Sequence, residues 1–167
     1  MDLFPQVAIE RFEQLKPGDL FLVELLDTKM VALRAVDDQR DGDKLMILLG
    51  PNFPAEWRPG FLAPWHGVTV VSLGTNYTLE LPCTPDGWSA SPPPPEVLSL
   101  LKAGDEVFVR GYFQQQASRF AECLVNVRTG AATYQHRPSM PMYASRWAIS
   151  LRDPYGARRA VLAMGYS

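Results

Sequence analysis

The sequence has few of the residues on which metal sites and many catalytic sites depend. Only two cysteines and two histidines occur in 167 residues. Structural zinc sites use closely spaced ligand pairs, whereas Cys83, Cys123, His66 and His136 are far apart. The sequence also lacks a Gly-x-Ser-x-Gly motif, a Walker loop and a Gly-x-Gly-x-x-Gly motif. These absences predict no metal and no cofactor, and they weigh against an enzyme.

Long hydrophobic runs are also missing. The densest apolar stretch, residues 45–49, has the length of a strand and is far shorter than a bilayer span. The first residues do not combine a basic segment with an apolar one, as a secretory signal does. We therefore expect a cytoplasmic protein with no membrane partner. The net charge of −2 predicts no general attraction of the whole chain to nucleic acid.

Short strand-like runs, separated by turn signals, occupy most of the chain. Val31, Leu33 and Ala35 alternate with other residues as in a half-buried strand, and residues 153–156 read Asp-Pro-Tyr-Gly, as in a type I turn. About ten such runs accompany two amphipathic segments, residues 5–15 and 96–101. The pattern predicts a mainly β protein with two short helices, built as small β-barrel (SH3-like) or sandwich units.

A five-residue pattern, Leu-Lys-x-Gly-Asp, occurs at residues 15–19 and again at 101–105. Each copy follows an amphipathic segment and precedes a strand-like run, which favours a duplicated helix–turn–strand half; chance is the alternative, because such a turn is a common entry to a strand. The proline run at residues 92–95 predicts a boundary between the halves. Residues 1–90 would form one β-rich half and residues 91–167 the other, either as two units or packed as a single domain.

Residues 50–67 combine four prolines with four large aromatic side chains, and this composition predicts a long loop. Long loops often carry function, and aromatic and arginine side chains supply much of the energy of protein interfaces. The alternative is that the rings fold back and cover one end of the β structure. The candidate partner-binding residues in this loop are Phe53, Trp57, Arg58, Phe61, Trp65 and His66.

Positive charge is concentrated near the end of the chain. Residues 128–167 contain six arginines and a single acidic residue, although the whole chain is acidic. This asymmetry indicates either internal docking or an acidic partner. Tyrosines and a tryptophan lie among the arginines, as in proteins that hold single-stranded nucleic acid. The candidate partner-binding residues here are Trp147, Arg152, Arg158 and Arg159.

The function that these features favour is a non-catalytic module that binds another macromolecule, in the first place a protein, in a regulatory, inhibitory or assembly role. One alternative is single-stranded nucleic-acid binding by the arginine-rich C-terminal hairpin. Another is a barrel that binds a small ligand, or an enzyme that uses His66 or His136.

Overall fold

A computed structural model describes residues 8–37, 43–50, 53, 59–116, 119–134, 138–153 and 155–165. The described chain is mainly β, as predicted, with fourteen strands and two short 3-10 turns, Phe12–Gln14 and Pro85–Gly87. The strands are β1 (Ala8–Arg11), β2 (Leu20–Leu25), β3 (Thr28–Asp37), β4 (Asp43–Gly50), β5 (Phe61–Pro64), β6 (Thr69–Gly74), β7 (Tyr77–Glu80), β8 (Leu100–Ala103), β9 (Glu106–Gln116), β10 (Arg119–Asn126), β11 (Ala131–Thr133), β12 (Met142–Ala144), β13 (Trp147–Arg152) and β14 (Arg158–Met164).

Six of these strands close into a mixed barrel, in the order β3, β4, β5, β9, β10, β11 and back to β3. Four of the six contacts are antiparallel, whereas β5 pairs with β9 and β11 pairs with β3 in parallel. Closure removes the exposed edges that an open sheet of these strands would present. A separate three-stranded sheet has the order β14, β13, β7.

The six barrel strands, together with β2 and β8 beside them, form two halves with the same strand topology. Strands β2 to β5 form a run of antiparallel neighbours, and strands β8 to β11 repeat it. In each half, the second strand changes partner along its length. Strand β3 pairs with β2 over residues 28–33 and then with β11, whereas β9 pairs with β8 over residues 106–109 and then with β5.

The two repeated pentapeptides do not occupy equivalent places in these halves. Residues 15–19 form the turn before β2, whereas residues 101–103 lie inside β8 and Gly104 and Asp105 form the turn between β8 and β9. The register instead matches Leu20 of β2 with Leu100 of β8, since these two residues pair with Leu33 and Val109 of the next strands. The two halves have the same strand topology, but the repeated pentapeptide does not result from it, because its two copies lie at different positions in the halves.

The prediction of two short helices is wrong for the residues that the structure describes. The described part of the first segment forms strand β1 followed by the 3-10 turn Phe12–Gln14. Phe12 and Leu15 are both buried and lie three residues apart, a spacing that a 3-10 turn satisfies as well as a helix does. The second segment is a turn at residues 95–96 followed by β8. No described helix is long and apolar enough to cross a bilayer.

Two main hydrophobic clusters stabilise the fold. The barrel core lies inside the barrel and continues onto the inner face of the three-stranded sheet; its members include Leu33, Ile47, Leu62, Val109, Val125, Trp147, Ile149, Leu151 and Leu162. The second core lies on the outer side of β2, β3 and β4; it consists of Phe12, Leu15, Phe21, Val23, Leu25, Met30, Ala32, Met46, Leu48 and Val70.

Candidate functional site: the C-terminal hairpin

The C-terminal hairpin consists of β13, β14 and the turn between them. Strand β13 lies at the centre of the three-stranded sheet, and β14 pairs along it from Trp147↔Met164 to Arg152↔Arg158. Its inner face contributes Ile149, Leu151 and Leu162 to the barrel core. The body of the hairpin is therefore fixed to the barrel, whereas Arg152 and residues 155–160 at its turn end are exposed.

Trp147, one of the candidate partner-binding residues, is wholly buried. Its side chain has 0% relative exposure and belongs to the barrel core. The indole N–H donates a hydrogen bond of 3.3 Å to the carbonyl oxygen of Leu98. A ring enclosed in this way stabilises the fold and has no surface to offer another molecule.

Asp153 organises the turn of the hairpin. Its Oδ1 accepts hydrogen bonds from the backbone N–H groups of Tyr155 (3.0 Å) and Ala157 (2.9 Å), and its Oδ2 accepts one from Nε of Arg159 (3.1 Å). The N–H of Gly156 donates to the Asp153 carbonyl oxygen at 2.9 Å and closes the turn. Burial acts to raise the pKa of Asp153, but the hydrogen bonds from Ala157, Arg159 and Tyr155 outweigh it and the pKa is lowered.

The lowered pKa of Asp153 predicts a specific pH dependence of stability. A carboxyl group whose pKa is lower in the folded state stabilises the fold above its unfolded-state pKa, near about 4, and loses that contribution as the pH falls through the folded-state value. We expect Asp153→Asn to reduce the free energy of unfolding at neutral pH, with the difference from the wild type shrinking below about pH 4. Urea unfolding between neutral and acidic pH measures this; a difference that does not change with pH would contradict the assignment.

Two arginines face each other at the turn end of the hairpin. Arg152 and Arg158 are directly opposite in the antiparallel register, so their side chains leave the same face of the sheet. Both are exposed, and Arg152 Nη1 donates a 3.3 Å hydrogen bond to the carbonyl oxygen of Gly156. In the described part of the chain, neither forms an ion pair with a carboxylate. Tyr155, in the turn beside them, is 89% exposed.

The described part of the aromatic loop packs against the protein itself. Phe53, Phe61 and Trp65 are half-buried and lie against the second core, and residues 61–64 form β5, so the prediction of a continuous loop is wrong there. His66 is exposed. Trp57 and Arg58 lie outside the described residues, so their role stays a prediction. For the three described rings, the packing favours the alternative in which they cover the β structure.

A groove of about 290 Å³ lies beside β7. Among its lining residues, the hydroxyl of Tyr77 donates to the carbonyl oxygen of Val127 at 2.9 Å, and burial raises the pKa of Tyr77. Nδ2 of Asn126, which also lines the groove, donates to Oε1 of Glu106 at 3.1 Å. No pattern in the sequence indicates this groove, because its lining residues come from three separate segments: Thr75, Tyr77 and Leu79, then Asp105, Glu106 and Val107, then Asn126, Val127 and Arg128.

Within the described residues, no three histidine, cysteine, aspartate or glutamate side chains are grouped so that they could hold a metal ion. His136 lies outside the described residues. Cys123 is buried, and burial raises the pKa of its thiol to about 12. Cys83 is exposed, although the alternation of its segment predicts a buried thiol.

Comparison with known proteins adds no identity. No protein-family model, curated protein or solved structure matches the chain. Its function therefore has to be argued from its own residues.

Proposed function

We propose that this protein is a non-catalytic interaction module that binds an acidic segment of another protein at the turn end of its C-terminal hairpin. The site consists of Arg152, Arg158 and the exposed ring of Tyr155, and we call it the hairpin tip. The observation that supports this proposal is the direct opposition of two exposed arginines that have no carboxylate partner among the described residues.

Opposed arginines are unfavourable for the isolated protein. Like charges directly across two antiparallel strands destabilise the pair by a few tenths of a kcal/mol, to about 1 kcal/mol. The neighbouring Arg159 has its charge compensated within the protein, because its Nε lies 3.1 Å from Oδ2 of Asp153. An acidic segment lying across Arg152 and Arg158 would relieve their repulsion and gain charge-assisted hydrogen bonds. A bound carboxylate therefore explains an arrangement that the fold alone does not require.

The position of β14 supports an extended partner. Strand β14 is an outer strand of its sheet, and within the described residues it pairs with β13 alone. An added strand could form main-chain hydrogen bonds along such an edge, while the hairpin tip selects acidic side chains. The seven residues of β14 are long enough for this mode of binding.

The aromatic residues of this region favour a protein over single-stranded nucleic acid. Stacking requires exposed rings next to the cations. Trp147 and Tyr143 are buried, and the ring of Tyr134 lies edge-on to that of Phe113 with 4.7 Å between the centroids. Of the described aromatic side chains after residue 128, Tyr155 alone is exposed. The hairpin tip thus combines two cations with one ring, which suits an acidic peptide better than a series of stacked bases.

Charge reversal at Arg158 is expected to weaken peptide binding without lowering the free energy of unfolding. A fluorescent decapeptide of alternating Glu and Val serves as the probe, titrated by anisotropy at low and high salt. We expect Arg158→Glu to weaken its binding at least tenfold, because a favourable pair becomes a repulsive one. The same substitution places a glutamate opposite Arg152, so we expect the free energy of unfolding to stay equal or to rise, by at most about 1 kcal/mol.

Arg146→Glu is the matched control. Arg146 is also exposed and carries the same charge, but it lies directly before β13, at the end of that strand opposite to the turn. We expect Arg146→Glu to change the affinity for the peptide by no more than about twofold relative to the wild type, because a charge distant from the site is screened by salt. Equal losses for both variants would show a nonspecific charge effect and overturn the proposal. Tighter binding of an oligothymidine probe than of the Glu–Val peptide would favour the nucleic-acid alternative.

A further inference from the structure

The proline run between the two halves lies on the surface. Pro92, Pro94 and Pro95 are exposed, and Pro93 is half-buried. The run joins β7 and the Pro85–Gly87 turn to β8. The sequence suggests a simple spacer, but the contacts of this segment give it a defined place and a defined outer face.

Steric constraints make the run extended. Each of residues 91–94 precedes a proline, and a residue before proline is excluded from the helical region and driven towards extended or polyproline II backbone. A polyproline II helix has three residues per turn, so Pro92 and Pro95 lie on the same side. The exposures agree with this geometry, because Pro93 is the one turned towards the protein.

Hydrogen bonds hold the run in position. Nη1 of Arg110 donates to the carbonyl oxygen of Pro93 at 2.6 Å, and Arg110 is itself buried and paired with Glu122, with 2.9 Å between Nη2 and Oε2. The N–H of Val97 donates to the carbonyl oxygen of Pro94 at 3.0 Å and ends the extended run in a turn. The segment is therefore ordered before any partner arrives, which lowers the entropy lost on binding.

We infer that the outer face of Pro92, Pro94 and Pro95 is a docking surface for an aromatic-lined groove of another protein. Rigid polyproline II ridges are recognised by such grooves through the proline rings. The charge nearby specifies the partner further. Glu96 is exposed directly after the run, whereas the cation that contacts the run, Arg110, is buried and paired with Glu122. The complementary groove therefore carries positive charge at the end that receives Glu96.

This inference does not depend on the hairpin tip. It concerns a different surface and a different partner chemistry, an aromatic groove with a cationic end in place of an acidic segment. The competing explanation is that the prolines only stiffen the connection between the halves by restricting the unfolded chain. Stiffening requires all four prolines regardless of which way each ring faces, whereas docking requires the outward-facing rings. An experiment therefore has to compare the prolines whose rings face outwards with the one whose ring faces the protein.

The test titrates the full-length protein, isotopically labelled, with three purified aromatic-groove domains, of the EVH1, SH3 and WW classes, and follows chemical shifts. We expect at least one domain to bind and to shift signals of residues 91–97. The double variant Pro92→Ala/Pro95→Ala should weaken that binding at least tenfold, because it removes both rings from one side. Glu96→Lys should weaken it severalfold at low salt and remove most of the salt dependence.

Pro93→Ala is the matched control, since it makes the same change in the same run at the residue turned towards the protein. It should leave binding within about threefold, a difference well below the tenfold step of about 1.4 kcal/mol. Thermal unfolding of each variant verifies that the fold is retained. Absence of binding by all three domains up to about 1 mM, the weak end of specific recognition, overturns the inference. An equal loss of binding in Pro93→Ala also overturns it, in favour of simple stiffening.

Discussion

Replacing Trp147 by alanine is expected to lower the free energy of unfolding by about 3–5 kcal/mol, the range for a large aromatic side chain removed from a packed core. Trp147 is completely buried at the junction of the barrel and the three-stranded sheet. Its removal leaves a cavity next to Leu98 and also leaves the Leu98 carbonyl oxygen without the indole donor. Chemical denaturation at neutral pH measures the change.

Two further variants show whether the effect comes from burial or from the hydrogen bond. Trp88 is half-buried, and its indole N–H donates to the carbonyl oxygen of Pro82 at 3.0 Å, so Trp88→Ala removes the same ring from a more exposed place. We expect it to destabilise the protein by less than half as much. Trp147→Phe retains most of the ring but not the donor, and should lower stability by about 1–3 kcal/mol. Equal effects of Trp147→Ala and Trp88→Ala would contradict the core position of Trp147.

Local patterns in the sequence identify most of the strands. The strand predicted for residues 29–36 corresponds to β3, because alternation follows directly from a pleated strand with one buried face. The strand predicted for residues 158–164, as the return strand after the Asp-Pro-Tyr-Gly turn, corresponds to β14. Strand β5 was not predicted, since Pro59 lies shortly before it and Pro64 is its last residue. Prolines at the end of a strand remove few ladder hydrogen bonds, so a proline-rich composition did not exclude a four-residue strand.

Closure of the barrel could not be predicted. It depends on two parallel contacts, β5 with β9 and β11 with β3, between strands that are distant in the sequence. Each contact comprises two residue pairs, and no local pattern encodes a pairing of that length across such a separation. The similarity of the two halves could not be predicted from the sequence either, because the halves share strand topology and backbone contacts but not a set of repeated residues.

The candidate site was partly predictable. Charge asymmetry pointed to Arg152 and Arg158, because an excess of one charge in one segment is visible without a structure. The position of aromatic residues among the arginines also pointed to Trp147, which the structure places in the barrel core. Its alternation with Ile149 and Leu151 places it on the apolar face of β13, and that signal could have identified it as a core residue. Arg159 has an internal partner, Asp153, which composition alone cannot show.

The two barrel halves share a close backbone contact at equivalent glycines. Gly130 precedes β11, and its carbonyl oxygen accepts a hydrogen bond from the N–H of Val36 in β3 at 2.9 Å. Gly60 precedes β5, and its carbonyl oxygen accepts one from the N–H of Tyr112 in β9 at 2.9 Å. Both glycines have positive φ, +70° and +73°. These contacts begin the two parallel pairings that close the barrel.

Gly130→Ala is therefore expected to destabilise the protein strongly. An added Cβ would lie 2.6 Å from the carbonyl oxygen of Arg34 and 2.6 Å from the backbone nitrogen of Gly18, and both neighbours are backbone atoms that cannot rotate away. Left-handed backbone costs a residue with a Cβ about 1–2 kcal/mol. Overpacking adds about 1–3 kcal/mol. Together they predict a loss of about 2–5 kcal/mol in the free energy of unfolding, measured by chemical denaturation.

Gly74→Ala separates the two contributions. Gly74 has a similar φ of +68°, but an added Cβ there meets no atom within 4 Å, so only the left-handed strain of about 1–2 kcal/mol applies. Gly60→Ala, with the carbonyl oxygen of Arg110 at 2.7 Å from the added Cβ, should behave like Gly130→Ala. If Gly130→Ala and Gly74→Ala destabilise equally, the close contact between β3 and the start of β11 does not hold the barrel shut. If Gly60→Ala and Gly130→Ala both lower the free energy of unfolding more than Gly74→Ala does, the same kind of close backbone contact closes the barrel in both halves.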